Sequence, residues 1–391
     1  MADRKRRALR FVLLVGAMSF FADFAYEGAR GIAGPFLALL GASGLVVGAA
    51  GGLGELAGYG LRLVSGPLAD RTRAYWPITI AGYVVQMAAV PALALAGSWQ
   101  AAASLLVLER IGKATRNPPR DVMLSHAGAE MGGYGWAFGL HEALDQFGAL
   151  LGPLAMAAAL AWRHDYHLAF AVLAVPAACT LALLGAARVL YPHTGEFEPA
   201  GRAPADGPGF SRAFWLYLAG AGLVAAGFAD FPLIGFHFEK AALLAPRWIP
   251  AYYAAAMGAG GVGSLVFGKL FDRVGLKILA PLTVVTALYA PLAFLAGRWP
   301  ALAGVALWGL GVGVHESILA AAVATMVPPE RRATAYGLFT AAFGLFWFLG
   351  SVLLGVLYDA SLAAVAIVAV ALQIAGVPFI LAATRLRLVA R

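Results

Sequence analysis

Among the ionisable residues of this chain that fall within long apolar stretches are Asp23, Glu27, Arg30, Glu109, Arg110, His141, Glu142, Asp145, Asp230, His315 and Glu316. Glu55 joins them from a glycine-rich stretch. Charges in hydrocarbon are costly, so they face a wet cavity or one another, where they pair, exchange protons or recognise a polar solute. Asp23, Glu27 and Arg30 are spaced i, i+4 and i+7, which places them on one helix face. His141 and Asp145 are i and i+4, with Glu142 beside them. A histidine with two carboxylates has the donors for a divalent metal. The spacing, however, is that of neither a zinc-protease helix nor a calcium loop. No metal is assigned, and a proton relay or ion-pair network is expected. His315-Glu316, after Gly311 and Gly313, repeats the mixture.

The elements that hold these groups follow from composition. The 391 residues are 61% hydrophobic and 12% charged, with mean hydropathy +0.80, whereas soluble domains carry about 25% charge. No soluble interior hides that much apolar surface, so lipid is the solvent for most of it. Apolar runs of spanning length lie near 10–33, 44–64, 76–97, 99–117, 134–160 and 167–188, then near 213–238, 248–268, 278–297, 300–326, 333–357 and 361–384. They lack the period-two alternation of a transmembrane barrel. The run from Phe11 reaches Phe24 without a convincing cleavage site, so it reads as a retained helix rather than a signal peptide.

Of the 28 Lys and Arg, 21 fall on one side of the twelve runs, five on the other and two within helices. The positive-inside rule then predicts that both termini are cytoplasmic, and the plasma (inner) membrane is the expected location. Because the basic residues lie between the runs, the net charge of +8 does not support nucleic-acid binding. Cys179 is the single cysteine, which excludes a disulfide framework and reads as packing. No cofactor is implied.

Residues 191–212 are polar and rich in Pro and Gly, the composition of a linker. It divides the chain into 1–190 and 213–391, six runs each. At an offset of 202, Gly66, Asp70 and Arg71 align with Gly268, Asp272 and Arg273. Parallel repeats of six spans are a transporter architecture, with solute bound between the halves near the midplane.

The block Gly66-Pro67-Leu68-Ala69-Asp70-Arg71 and its copy Gly268-Lys269-Leu270-Phe271-Asp272-Arg273 resemble the signature loop of the major facilitator superfamily. The resemblance covers the whole chain. It implies an all-α polytopic membrane protein, twelve transmembrane helices in two six-helix bundles, with these residues as a cytoplasmic latch. Arg73 stands where a second Gly is common. Gly148, Gly152 and Pro153 resemble the Gly-x-x-x-Gly-Pro motif of proton-coupled exporters, and small residues at that spacing let helices approach closely. The stretch from Glu109 to Asp121 is similar to the fourth span of efflux-type permeases, in which an Arg such as Arg110 is associated with proton coupling. Arg116 and Arg120 are expected to snorkel at the cytoplasmic end. The family layout lines its cavity with spans 1, 4, 7 and 10, which are rich in ionisable groups here, and turns spans 3, 6, 9 and 12 toward lipid.

These readings converge on a secondary transporter, expected to be a proton-coupled exporter of a small-molecule substrate and a monomer in the bilayer. An importer or facilitator of the same fold is the nearest alternative. An intramembrane enzyme would need a nucleophile–base or metal constellation that is not found. Asp23 and Glu27 lie about 13 and 17 residues beyond Arg10, roughly 20–25 Å along a helix rising 1.5 Å per residue. A carboxylate at such depth favours its neutral form unless a cation holds it ionised. Both are therefore expected to carry protons, and a static Glu27–Arg30 pair is the competing expectation. Phe339, Phe343, Phe346 and Trp347 could stack a substrate, though core packing is favoured.

Overall fold

The computed structural model describes residues 2–131, 134–192, 209–324, 326–327 and 332–389. The chain is helical almost throughout, in the order α1 (Ala2–Leu39), α2 (Gly44–Gly60), α3 (Arg62–Thr72), α4 (Tyr75–Ala92), α5 (Trp99–Met131), α6 (Tyr134–Arg163), α7 (Tyr166–Val172) and α8 (Ala174–Leu190). It continues as α9 (Arg212–Gly227), α10 (Phe231–Lys240), α11 (Ile249–Val274), α12 (Leu279–Ala287), α13 (Tyr289–Phe294), α14 (Arg298–Ala324), α15 (Arg332–Ala360) and α16 (Leu362–Val389). Among the described residues, eight helical stretches, from Arg4–Leu39 to Leu362–Leu386, are long and apolar enough to cross a membrane. α5 is not among them, because Glu109, Arg110, Lys113, Arg116 and Arg120 lie along it. The protein is an all-α polytopic membrane protein. Residues 193–208 of the expected linker fall outside the described residues.

Helix ends follow their sequence signals. Ser43 caps α2 by accepting from the Val46 N–H, and Ser211 caps α9 by accepting from the Phe214 N–H, each satisfying an otherwise orphaned donor. The repeated Gly-x-Leu-x-Asp-Arg block, expected as a loop, is helical in both copies, on α3 and in the last turns of α11. Nothing breaks either helix before Arg73, at φ 53°, and Gly275, at φ 71°. The two are equivalent under the 202-residue offset, and both close a helix at positive φ, Arg73 in the left-handed region and Gly275, at ψ −155°, in a region that glycine almost alone adopts.

The run near 213–238 is not one helix. α9 stops at Gly227, residues 228–230 are non-helical, and α10 restarts with Asp230 as its cap and Pro232 in its first turn. α1 runs through the middle of the structure against α6. Added side-chain carbons at Gly148 and Gly152 would meet the backbone carbonyls of Phe20 and Phe24, so these positions need Gly for α1 and α6 to touch. α2 packs along α15, and α1 lies against α10 where Gly34 meets Pro232. These contacts tie residues 2–192 to residues 209–389, and those at Gly34, Gly44 and Gly48 lie toward the end carrying the 40–44 turn.

Candidate functional site

The expected ionisable residues meet around one guanidinium. Arg30 on α1 places Nη2 on Glu55 Oε1 of α2 at 3.0 Å and on Asp230 Oδ1, the cap of α10. It therefore joins carboxylates from the two halves of the chain. Glu55 also lies 3.3 Å from Arg110 Nη2 of α5, and Arg110 Nε is 3.5 Å from Glu109 Oε2.

From Glu109 a chain of side chains continues along α4 and α5. Gln86 Nε2 donates to Glu109 at 2.7 Å, and its Oε1 accepts from Arg116 Nε at 2.6 Å. Arg116 Nη1 donates to the Tyr83 hydroxyl at 2.7 Å. Ser19 Oγ, 3.4 Å from that hydroxyl, accepts from Arg120 Nη1 at 3.1 Å and lies 2.9 Å from His141 Nε2. His141 Nδ1 is 3.4 Å from Asp145 on α6, and Arg120 pairs with Asp121 at 2.8 Å. Polar contacts thus run from Asp121 and Asp145 to Asp230 through helices whose other neighbours are apolar.

A second branch faces the same interior. Lys113 Nζ donates to the Tyr26 hydroxyl at 2.5 Å and sits 3.9 Å from its ring centroid, the geometry of a cation–π contact. Tyr26 donates to Asp23 at 3.3 Å, and Asp23 lies 3.8 Å from Arg116. Glu27 accepts from the Tyr253 hydroxyl of α11. Tyr26, Arg30, Glu109, Arg110 and Asp230 surround a cavity of about 30 Å³, room for about two waters. Removing one member of a buried ion pair costs about 3–5 kcal/mol, because its partner stays buried and uncompensated. Each charge in this chain therefore fixes its neighbours.

Two expectations are corrected here. Arg116 and Arg120 do not snorkel: they are 1% and 7% exposed and belong to the polar chain. α5 continues unbroken past Pro118 and Pro119 to Met131, so neither arginine is near a helix end. The static Glu27–Arg30 pair is also not made, since Glu27 faces Tyr253 while Arg30 reaches Glu55 and Asp230.

A sequence profile of the Major Facilitator Superfamily matches residues 14–351 and 247–389. The chain belongs to the Major Facilitator Superfamily. An uncharacterized protein of Mycobacterium tuberculosis is 43% identical over 373 residues, covering 94% of this chain and 91% of the relative. An uncharacterized MFS-type transporter of Methanocaldococcus jannaschii is 26% identical over 370 residues, 92% of this chain and 91% of that protein. Among solved structures, a nucleoside transporter NupG mutant superposes with TM-score 0.78 at 13% identity, covering 94% of this chain and 99% of that one. A bacterial homolog of the human lysosomal transporter Spinster, inward-facing and unoccupied, gives TM-score 0.74 at 15% identity, with 98% of each chain covered. At such identities the likeness is one of fold. As a superfamily member the protein is a secondary transporter of a small molecule across a bilayer, not an enzyme.

Within this transporter, Asp23, Glu27, Arg30, Glu109, Arg110, His141, Asp145 and Asp230 lie in or beside the polar chain. His315 stands apart, 3.1 Å from Thr283 Oγ1 and edge-on to Phe228. The side chains of Glu142 and Glu316 and of the latch residues Asp70, Arg71 and Asp272, and the surroundings of Gly66 and Gly268, lie outside the described residues. Arg273 is exposed. Phe339, Phe343 and Trp347 are buried against Tyr217 and Phe228 as core. Among the described residues no group of three His, Cys, Asp or Glu side chains could hold a metal. The sequence reading missed Ser19, Tyr26, Tyr83, Gln86, Lys113 and Tyr253. Gln86, the most polar residue within a span otherwise free of charge, was the available signal for the α4 contribution.

Proposed function

We propose that the protein is a proton-coupled exporter working by alternating access, with twelve spans in two six-helix bundles of residues 1–190 and 213–391. Both termini and the 191–212 linker face the cytoplasm of a plasma (inner) membrane, and the end carrying the 40–44 turn faces outward. The observation that carries this reading is the single guanidinium of Arg30, shared between Glu55 and Asp230. A cation held by carboxylates of both halves keeps them together, and protonating either carboxylate weakens the hold. Proton arrival is thereby linked to separation of the halves. Asp23 and Glu27, on hydroxyls of Tyr26 and Tyr253, are the further proton carriers of the same face. Export is supported by the motif resemblance at Gly148, Gly152, Pro153 and along α5. Gly66, Asp70, Arg71, Gly268, Asp272 and Arg273 serve as the cytoplasmic latch, so Asp70→Asn is expected to slow turnover more than it weakens binding.

The test is transport in proteoliposomes against a panel of small solutes, with and without an imposed pH gradient. Solute movement against its own gradient, driven by opposite proton movement, is expected. Transport that equilibrates the solute identically with and without the gradient would make the protein a facilitator.

A further inference from the structure

The break between α9 and α10 presents Asp230 to Arg30, and the way its backbone is satisfied singles out one residue. In an unbroken helix the Gly227 carbonyl would accept from the Phe231 N–H. Here the Phe231 N–H goes to Asp230 Oδ1 at 3.1 Å, leaving Gly227 and Ala229 without helical partners at membrane depth. Non-helical backbone is tolerated there only where other groups re-satisfy it. The Tyr289 hydroxyl, at the start of α13, does so twice: it accepts from the Ala229 N–H at 2.7 Å and donates to the Gly227 carbonyl at 2.8 Å. Trp308 Nε1 donates to the Ala229 carbonyl at 2.7 Å, and Gln373 Nε2 reaches the Gly227 carbonyl at 3.2 Å. Of these three side chains only Tyr289 joins the end of α9 to the break itself through both a donor and an acceptor. Its ring is fully buried and stacks on Phe228 at 5.6 Å, which fixes the hydroxyl in place.

We propose that Tyr289 is the positioning residue for the Arg30–Asp230 pair, holding the 228–230 break open at the rotation that turns the Asp230 carboxylate toward α1. The inference rests on the reading of that pair as the proton-sensitive tie between the halves. Without the hydroxyl, the Ala229 N–H and Gly227 carbonyl lose a shared partner, and the segment relaxes toward helix or slackens. Either change turns Asp230 away from Arg30.

The test uses full-length protein in proteoliposomes with Cys179→Ser and a reporter Ser351→Cys. Ser351 is 1% exposed on α15, where Gly48 and Gly52 of α2 pack, so a thiol reagent reaches it only when that end opens. Labelling rate is followed against pH for the parent, Asp230→Asn, Tyr289→Phe and the double variant. The parent should show a pH midpoint and Asp230→Asn should abolish it. Tyr289→Phe, which keeps the ring, should displace the midpoint with an unchanged elution profile and leave the Asp230→Asn background unaltered. A midpoint unmoved by Tyr289→Phe, or an equal effect with Asp230 already replaced, overturns the positioning role. A parent-like midpoint in Asp230→Asn defeats instead the underlying reading of the ion pair. Gln373→Leu, which leaves the Tyr289 bridge intact, should move the midpoint less than Tyr289→Phe; an equal displacement would assign the effect to general packing.

Discussion

The Asp359 carboxylate at the end of α15 accepts from the backbone N–H groups of Gly44, at 2.8 Å, and Leu45, at 2.9 Å. The first turn of α2 is thus capped by a side chain 314 positions away, from the other half of the chain. Charge-assisted bonds at a helix N-terminus are among the stronger polar contacts. Tyr166, donating to Glu239 at 3.0 Å, adds a second polar tie at the same end.

Replacing Asp359 with Ala removes both bonds. A loss of about 2 kcal/mol, within the range for such contacts, corresponds to roughly a 30-fold rise in the open population. Labelling of Ser351→Cys should accelerate accordingly. An unchanged rate would mean that packing alone closes this end.

Two glycines separate folding from conformational exchange. A side chain at Gly34 would strike Pro232 of α10, a contact between the halves, whereas one at Gly152 would strike Phe24 within the first half. Gly34→Val is expected to give a folded protein displaced toward opening at the end carrying the 40–44 turn. Gly152→Val should destroy the α1–α6 contact and abolish the monodisperse peak in size-exclusion chromatography. Equal yields for both would contradict the assignment.

Arg73 closes α3 at φ 53° where its counterpart Gly275 closes α11 at φ 71°. A non-glycine residue costs about 1 kcal/mol in the left-handed region of Arg73, and more at the ψ of −155° held by Gly275, which glycine almost alone adopts. Arg73→Gly should therefore raise the thermal unfolding midpoint in detergent, while Gly275→Arg should lower it. A fall for Arg73→Gly would show that the arginine side chain contributes more than its backbone costs.

Glu27→Gln keeps an oxygen to accept from the Tyr253 hydroxyl and removes only the charge. If Glu27 carries a proton, the variant should retain solute exchange and lose part of the pH dependence of transport. Full gradient-driven transport with unaltered pH dependence would leave Glu27 a structural acceptor.

Depth and charge made much of the site legible from sequence. Asp23, Glu27, Arg30, Glu109, Arg110 and Asp230 stand out because a charge within an apolar run needs a partner. What joins them was harder to read. Tyr26, Tyr83 and Tyr253 blend into apolar runs, and only three-dimensional packing brings their hydroxyls onto the ions. Arg116 and Arg120 were misplaced because the apolar run ends near residue 117, whereas α5 continues to Met131 with Pro118 and Pro119 in its interior. The break at 228–230 did have a local signal, Gly227 closing one helix and Pro232 opening the next. Within so apolar a stretch, the hydropathy of the run masked it.

If the Arg30–Asp230 pair couples proton movement to solute movement, Asp230→Asn should uncouple them. In proteoliposomes, solute counterflow at equal pH on both sides needs only alternating access, whereas accumulation driven by a pH gradient also needs the proton site. Asp230→Asn is expected to retain counterflow and lose gradient-driven accumulation. Accumulation at the parent level, with unaltered pH dependence, would contradict that coupling.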